Sequence, residues 1–276
     1  KIHVGATLSD QSESDRINRE AFEEVFQILK LAWGDEPFRF KGKYYEYPSP
    51  QEGTPWQAHE WTRECGFPGE VDEQGRIQKI NVVPKPFQRP HPPLFQAFSA
   101  SEETVRWCAR EGITPTILTS QPPQVRKLVE AYHMEAQQAG RDVKFGENVG
   151  VVHAMYLAEN KDQARKLAED GICGAAFRNF FYHFGFFEGW REPEDEAKYP
   201  SGKVSLPVEE CTISRMERAD FVYLVCVEDV QRSLDAMVEN VNPEWFIWQG
   251  DQGFLPLDEV KRQVETFGKK LLPRYK

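Results

Sequence analysis

The stretch Phe98-Ser99-Ala100-Ser101-Glu102-Glu103-Thr104 places hydroxyl and carboxyl side chains where a strand-forming run gives way to a helical pattern. Ser99 and Glu102 stand at capping-box spacing, and Ser101 with Thr104 offers two more hydroxyls to the same helix start. The first helical turn leaves backbone N–H groups without intrahelical partners and carries the positive end of the dipole. Such a junction can therefore receive an anion, phosphate above all. The competing reading is a cap that binds nothing. Glu102 and Glu103 oppose an anion unless their side chains turn away.

Other reactive residues are scattered. The six histidines are His3, His59, His91, His133, His153 and His183, and no pair has HxxxH or HExxH spacing, so no metal is expected. His153, inside Val151-Val152-His153-Ala154-Met155, reads as a hydrogen-bonded structural histidine, and His91 as shaping a proline-rich segment. Asp251 follows an aromatic strand and reads as a solvated loop carboxylate. Phe177, Phe180, Phe181, Tyr182, Phe184, Phe186, Phe187 and Trp190 form a dense aromatic group. Core packing is the first reading, with a hydrophobic lid, substrate wall or dimer contact as alternatives. The acidic run Glu192-Pro193-Glu194-Asp195-Glu196 reads as a solvated tip.

Composition bounds the function. Across 276 residues, 44 acids against 34 bases leave a net charge of −10, which argues against a nucleic-acid binder. No apolar run reaches the roughly 18–20 residues that span a bilayer, so no membrane association is expected. Cys65, Cys108, Cys173, Cys211 and Cys226 form no CxxC pair, which disfavours a disulfide framework or zinc cluster and suggests a reducing cytoplasm. No secretory leader is visible, and residue 1 is Lys1.

The elements that must position these residues alternate. Residues 1–8 read as a strand and Ser9–Ser14 as a polar connection. A long helix follows with Ile17, Ala21, Phe22, Val25, Ile28, Leu29 and Ala32 on one face, ended by Gly34 and Pro37. Residues 35–92 are proline-dense and read as an excursion with edge strands at 39–47 and 76–83. Strands at 93–98, 113–119, 149–157 and 244–248 alternate with helices at 101–111, 123–139, from 161, and at 227–241 and 256–271; a second excursion covers 177–207. Alternation calls for a mainly parallel sheet with outer helices. The strand–helix units are 1–33, 93–111, 113–139, 148–180 and 244–271, fewer than the eight of a closed barrel. The pattern fits an open α/β sheet, or a barrel whose first units lie upstream of Lys1.

Several segments, in order, resemble the bacterial luciferase-like superfamily of flavin-dependent monooxygenases. They are Arg19-Glu20-Ala21-Phe22-Glu23-Glu24 through Trp33, Glu36-Pro37-Phe38 with Gly42-Lys43-Tyr44-Tyr45, and Val83-Pro84-Lys85-Pro86-Phe87 through Leu94. Ser99-Ala100-Ser101-Glu102-Glu103-Thr104 running into Trp107-Cys108-Ala109 is similar to the family's flavin-phosphate turn, and Phe254-Leu255-Pro256 through Tyr275 to its last helix.

The resemblance implies a TIM-like (β/α) barrel of the luciferase-like type, read as one domain over 1–276 with insertions at 35–92 and 181–215. It implies reduced FMN, or alternatively the deazaflavin F420, at the C-terminal mouth. Phosphate binding is carried onto Ser101 and Thr104, with Ser99 and Ala100 beside them and Thr119 and Ser120 at the next strand end. Family members carry about three further units ahead of this point, so catalytic residues are left unassigned. The family's arginine near the phosphate has no counterpart at Ala6-Thr7. The function implied is a monooxygenase using reduced flavin and O₂ on a small organic substrate, supplied by a separate flavin reductase. A homo-oligomer, driven by unpaired sheet edges, is also expected. The alternatives are a non-catalytic or weakly flavin-binding barrel subunit and, ranked last, a glycoside hydrolase.

Overall fold

The computed structural model describes residues 8–49, 54–99, 101–118, 121–201, 203–225, 227–251 and 253–275. The chain divides into two compact units, Lys1–Pro92 and Pro93–Lys276.

The first unit opens on helix α1 (Leu8–Trp33). Of the strand expected at 1–8, residues 1–7 lie outside the described residues and Leu8 is already helical. The polar stretch 9–14 also belongs to the helix rather than to a connection. The helix stops where Gly34 N donates to Lys30 O and Leu31 O.

The expected edge strands are shorter than their sequence runs. A turn at 42–45 folds the first into a hairpin, β1 (Phe40–Lys41) against β2 (Glu46–Tyr47). β3 (Thr54–Pro55) pairs antiparallel with β4 (Arg76–Ile77), and a seven-residue helix α2 (His59–Cys65) fits between their prolines. The hairpin turn is tied to α1 by two carboxylates one helical turn apart. Glu24 accepts from the backbone N–H of Lys43 at 2.6 Å, Tyr44 at 2.9 Å and Tyr45 at 3.1 Å. Glu20 accepts from Lys43 Nζ at 2.7 Å and Tyr44 Oη at 2.6 Å, which pulls its pKa down to about 2. A Cβ on Gly42 would fall on the Glu24 carboxylate and displace it from the turn, so glycine is what lets this clamp close.

The second unit is a parallel five-stranded sheet: β5 (Phe95–Ser99), β6 (Thr114–Ile117), β7 (Gly150–Leu157), β8 (Val222–Val225) and β9 (Trp245–Gln249). Helices α3 (Glu102–Glu111), α4 (Pro122–Gln138), α5 (Lys161–Asp170), α9 (Val227–Val241) and α10 (Leu257–Lys270) follow the strands. The sequence reading has no strand at β8. That run is four residues long and joins α9 almost directly, so its apolar residues merge with the helical pattern.

β7 is buried along all eight residues. On one edge β9 runs from Gly150↔Trp245 to Ala154↔Gln249. On the other, β6 meets Gly150 and Val151, and β8 meets Ala154 to Leu157. Beyond the end of β9, side chains continue its edge: Trp248 Nε1 donates to Met155 O at 2.9 Å, Leu157 N donates to Gln263 Oε1 at 3.0 Å, and Arg262 Nη2 donates to Leu157 O at 2.5 Å.

Two short helices lie in the second excursion, α6 (Phe177–Asn179), preceded by a wide turn at Ile172–Ala176, and α7 (Asp195–Lys198), and α8 (Ile213–Arg218) follows it. Of the aromatic group, Phe177, Phe181, Phe187 and Trp190 belong to the core. Phe177 and Trp190 lie 5.0 Å apart between ring centroids, and both touch Phe221, at 5.1 and 4.5 Å. Phe180 is more than half exposed. The acidic run is only in part a solvated tip, with Glu194 and Glu196 exposed but Asp195 drawn inside. Asp195 is 7% exposed and Arg215 4%. Arg215 donates to Asp195 at 2.5 and 3.1 Å and to Glu210 at 2.8 Å, while Arg218 grips Glu192 at 2.5 and 3.0 Å. The Arg215 guanidinium holds the Asp195 carboxyl below its usual range. Five nearby cationic and carboxylate groups satisfy one another here, which a count of acids in one run does not reveal.

His153 has the structural role expected. Its ring stacks on Tyr223 at 4.7 Å, and Nδ1 lies 3.1 Å from Asp220 O, so this nitrogen carries the proton of the neutral ring. Burial pushes its pKa down to about 4.

Two predictions follow from these contacts. Gly42→Ala and Glu24→Ala each lower the urea midpoint. Gly42→Ala costs nothing further in the Glu24→Ala background, because both remove one contact; a double-mutant cycle that came out additive would refute the clamp. Below pH 6.5 the unfolded chain takes up a proton that folded His153 accepts only near pH 4. Stability therefore falls as pH drops through that window, by about 3 kcal/mol. His153→Phe should flatten this segment of the pH–stability curve.

Candidate functional site

The strand-to-helix junction after β5 is built from backbone first. Ser99 closes β5 in register with Ile117 of β6, which brings two strand ends to one level. Ser101, in extended conformation, is the N-cap of α3. Its Oγ accepts from Thr104 N at 3.2 Å and donates to Thr104 Oγ1 at 2.8 Å. The helix is anchored below by buried Val105, Trp107, Cys108 and Ala109. It ends at Gly112, whose φ of 72° closes the last turn.

The N-cap stands two residues later than the Ser99–Glu102 capping-box spacing expects. The helix begins at Glu102, so the cap is Ser101, and the Glu102 carboxylate points elsewhere. It accepts from Arg106 Nε at 3.1 Å and Nη2 at 2.9 Å, and lies 3.3 Å from Lys127 Nζ of α4. Arg106, then Lys127, lower its pKa. Arg106 also reaches Glu135 at 3.1 Å, where Arg110 joins at 2.9 Å, pinning α3 to α4. Glu102 thus turns away from the junction, as an anion there requires.

Of the six residues expected to bind cofactor, the structure brings Ser101 and Thr104 together. Ser99 is placed by its backbone. Its side chain, Ala100, Thr119 and Ser120 lie outside the described residues. The donor set present, a hydroxyl pair at the positive end of a ten-residue helix, fits a phosphate group.

Sequence reasoning missed Arg106 and Lys127. The Glu102–Arg106 spacing of four was a usable signal, whereas Lys127 arrives from another helix. Asp251, at the end of β9, is occupied rather than solvated. It accepts from the N–H groups of Gly253 at 2.8 Å and of Phe254 and Leu255 at 3.2 Å each, shaping the turn into α10. Among the described residues no three His, Cys, Asp or Glu side chains could hold a metal ion, and no helix is long and apolar enough to cross a membrane.

The luciferase-like monooxygenase family model matches residues 12–204. The chain belongs to this family. It is 23% identical over 191 residues to 3,6-diketocamphane 1,6-monooxygenase of Pseudomonas putida, a match covering 67% of this chain and 45% of that protein. Two solved structures share the fold. One is a type II Baeyer–Villiger monooxygenase, the oxygenating constituent of 3,6-diketocamphane monooxygenase of Pseudomonas putida, in complex with FMN. Its TM-score is 0.59 at 19% identity, over 91% of this chain and 62% of that one. The other is an F420-dependent secondary alcohol dehydrogenase in complex with an F420-acetone adduct, with TM-score 0.53 at 13% identity, over 89% and 58%. The fold is that of the luciferase-like TIM barrels. The chain spans about three fifths of these two structures and less than half of the curated relative.

The luciferase-like match takes in the Glu20–Glu24 clamp, the hairpin it holds and the Ser101 junction. Within this chain those matched residues amount to two carboxylates on α1 and the glycine-led turn they grip.

Ser101→Ala should cost about 1 kcal/mol of stability in urea denaturation, the loss of an N-cap, and Ser101→Asp should restore most of it.

Proposed function

We propose that the chain acts as a flavin-dependent monooxygenase of the luciferase-like family, using reduced FMN and O₂ on a small organic substrate. The observation that carries this reading is the Ser101–Thr104 hydroxyl pair on the N-terminus of α3, with Glu102 drawn aside by Arg106 and Lys127. When bound, the reduced flavin supplies the chemistry of oxygen activation. Ser101 and Thr104 would hold its phosphate end, and the dipole of α3 would favour the phosphate's negative charge. The exposed position of Ser101 leaves the junction open to a ligand. A separate flavin reductase is part of the proposal, in keeping with the FMN-bound relative being one constituent of its monooxygenase.

The family match runs unbroken from the first unit into the second, which supports reading 1–276 as one luciferase-like domain with insertions at 35–92 and 181–215. The buried thiols of Cys173 and Cys211, which form no disulfide, favour a cytoplasmic setting. Half-exposed apolar residues of α1, Val25 and Leu29 among them, favour a homo-oligomer. F420 is the second cofactor reading, supported by the likeness to the F420-dependent dehydrogenase fold.

Visible absorption titration with FMN and with F420 tests the site. One cofactor should bind saturably, and Ser101→Ala or Thr104→Ala should weaken it by roughly ten-fold or more, the worth of a hydrogen bond to a charged group. Unchanged affinity in both variants would remove the phosphate from this junction. O₂ consumption with a reductase present then tests turnover.

A further inference from the structure

The excursion 35–92 contains a cavity of about 740 Å³ in the first unit, walled by the hairpin β1–β2 on one side and by β4 with the turn before it on the other. Its charges do not cancel. Arg39, Lys41 and Arg76 line it together with Glu46 and Asp72. Both oxygens of Asp72 are engaged: Oδ1 accepts from Arg76 N at 2.8 Å and Oδ2 from Gln78 Nε2 at 2.8 Å. Glu46 lies 3.6 Å from Lys41 Nζ. Arg39 Nη2 donates to the neutral oxygen of Gln78 at 3.0 Å. Gln78 therefore links Arg39 to Asp72, and Asp72 fixes the backbone of Arg76.

The guanidinium of Arg76 is left over. It has no acceptor among the described residues although the residue is half-buried. A partly desolvated cation without a partner is costly, and a guanidinium presents a planar fork of donors matched to carboxylate and phosphate oxygens. Tyr47 and Ile77 add apolar surface to the same walls.

We propose that this cavity is a binding site for an organic anion, its carboxylate or phosphate group taken by Arg76 with Arg39 beside it, and its body lying against Tyr47. Gln78 is the positioning residue. Its residues are none of those at the Ser101 junction, and its occupancy does not depend on a flavin.

Calorimetric titration of the whole chain with benzoate and with phenyl phosphate, at constant ionic strength, tests it. Saturable binding of either probe is expected, weakened ten-fold or more in Arg76→Gln and only partly in Arg76→Lys, which keeps the charge but loses the fork. A preference for benzoate assigns a carboxylate ligand, and a preference for phenyl phosphate a phosphate ligand. In wild-type protein the Arg76 Nε–H signal should shift on saturation, a readout that needs no variant. The absence of saturable binding for both probes overturns the proposal, and so does equal affinity in Arg76→Gln. FMN titration of Arg76→Gln should match wild type, which separates this site from the flavin reading.

Discussion

A strand with every residue buried must satisfy every backbone N–H and C=O within the protein. β7 is in that position, and the second unit is arranged around meeting its demand. One edge needs two short strands in succession, β6 and then β8, because neither is long enough alone. The other takes β9 and, where β9 ends, the side chains of Trp248, Arg262 and Gln263. The position of α10 is thereby coupled to the sheet by hydrogen bonds as well as by packing of Phe267 on Trp248. Without that coupling the last residues of β7 would carry orphaned polar groups in an apolar surround, each costing about 1–3 kcal/mol.

Outside the sheet the same accounting is met by carboxylates. Glu24 gathers three backbone N–H groups of the first hairpin, Asp251 gathers three after β9, and Asp72 takes one beside the hairpin cavity. Asp195 does so for Glu192 N at 2.7 Å while bound to Arg215. An excess of acids is thus partly an inventory of acceptors for irregular backbone, where no neighbouring strand or helical turn supplies a carbonyl. Glu102 shows the complementary use: engaged by two cations, it is kept away from the helix start it would otherwise disfavour for an anion.

What could be read from sequence divides along physical lines. Helices α3, α4, α9 and α10 were legible because their apolar spacing persists for ten residues or more and their ends carry Gly or Pro signals. The cap was legible as a cluster of hydroxyls, but choosing Ser101 over Ser99 required knowing where the strand ends. β8 was not legible, being four apolar residues run into a helix. The fate of Asp195 was not legible either, since its partner Arg215 is twenty residues away and inside a different helix. Charges are read from sequence as solvated by default, and only a tertiary partner reverses that. The family resemblance recovered the fold because the order of several loose motifs is more specific than any one of them.

The clamp between α1 and the first hairpin also has a bearing on assembly. It closes a loop across 19 residues, Glu24 to Lys43, whereas the contacts that complete the edge of β7 span 93 and 106. Loop-closure entropy grows by about 0.6 kcal/mol for each doubling of length, so the shorter closure is the less costly by something over 1 kcal/mol. The hairpin can be secured from local chain alone, whereas the central strand must wait for the C-terminal helix to be made before its last polar groups are covered. In synthesis from the N-terminus, the segment that walls the anion cavity is therefore complete long before the sheet is.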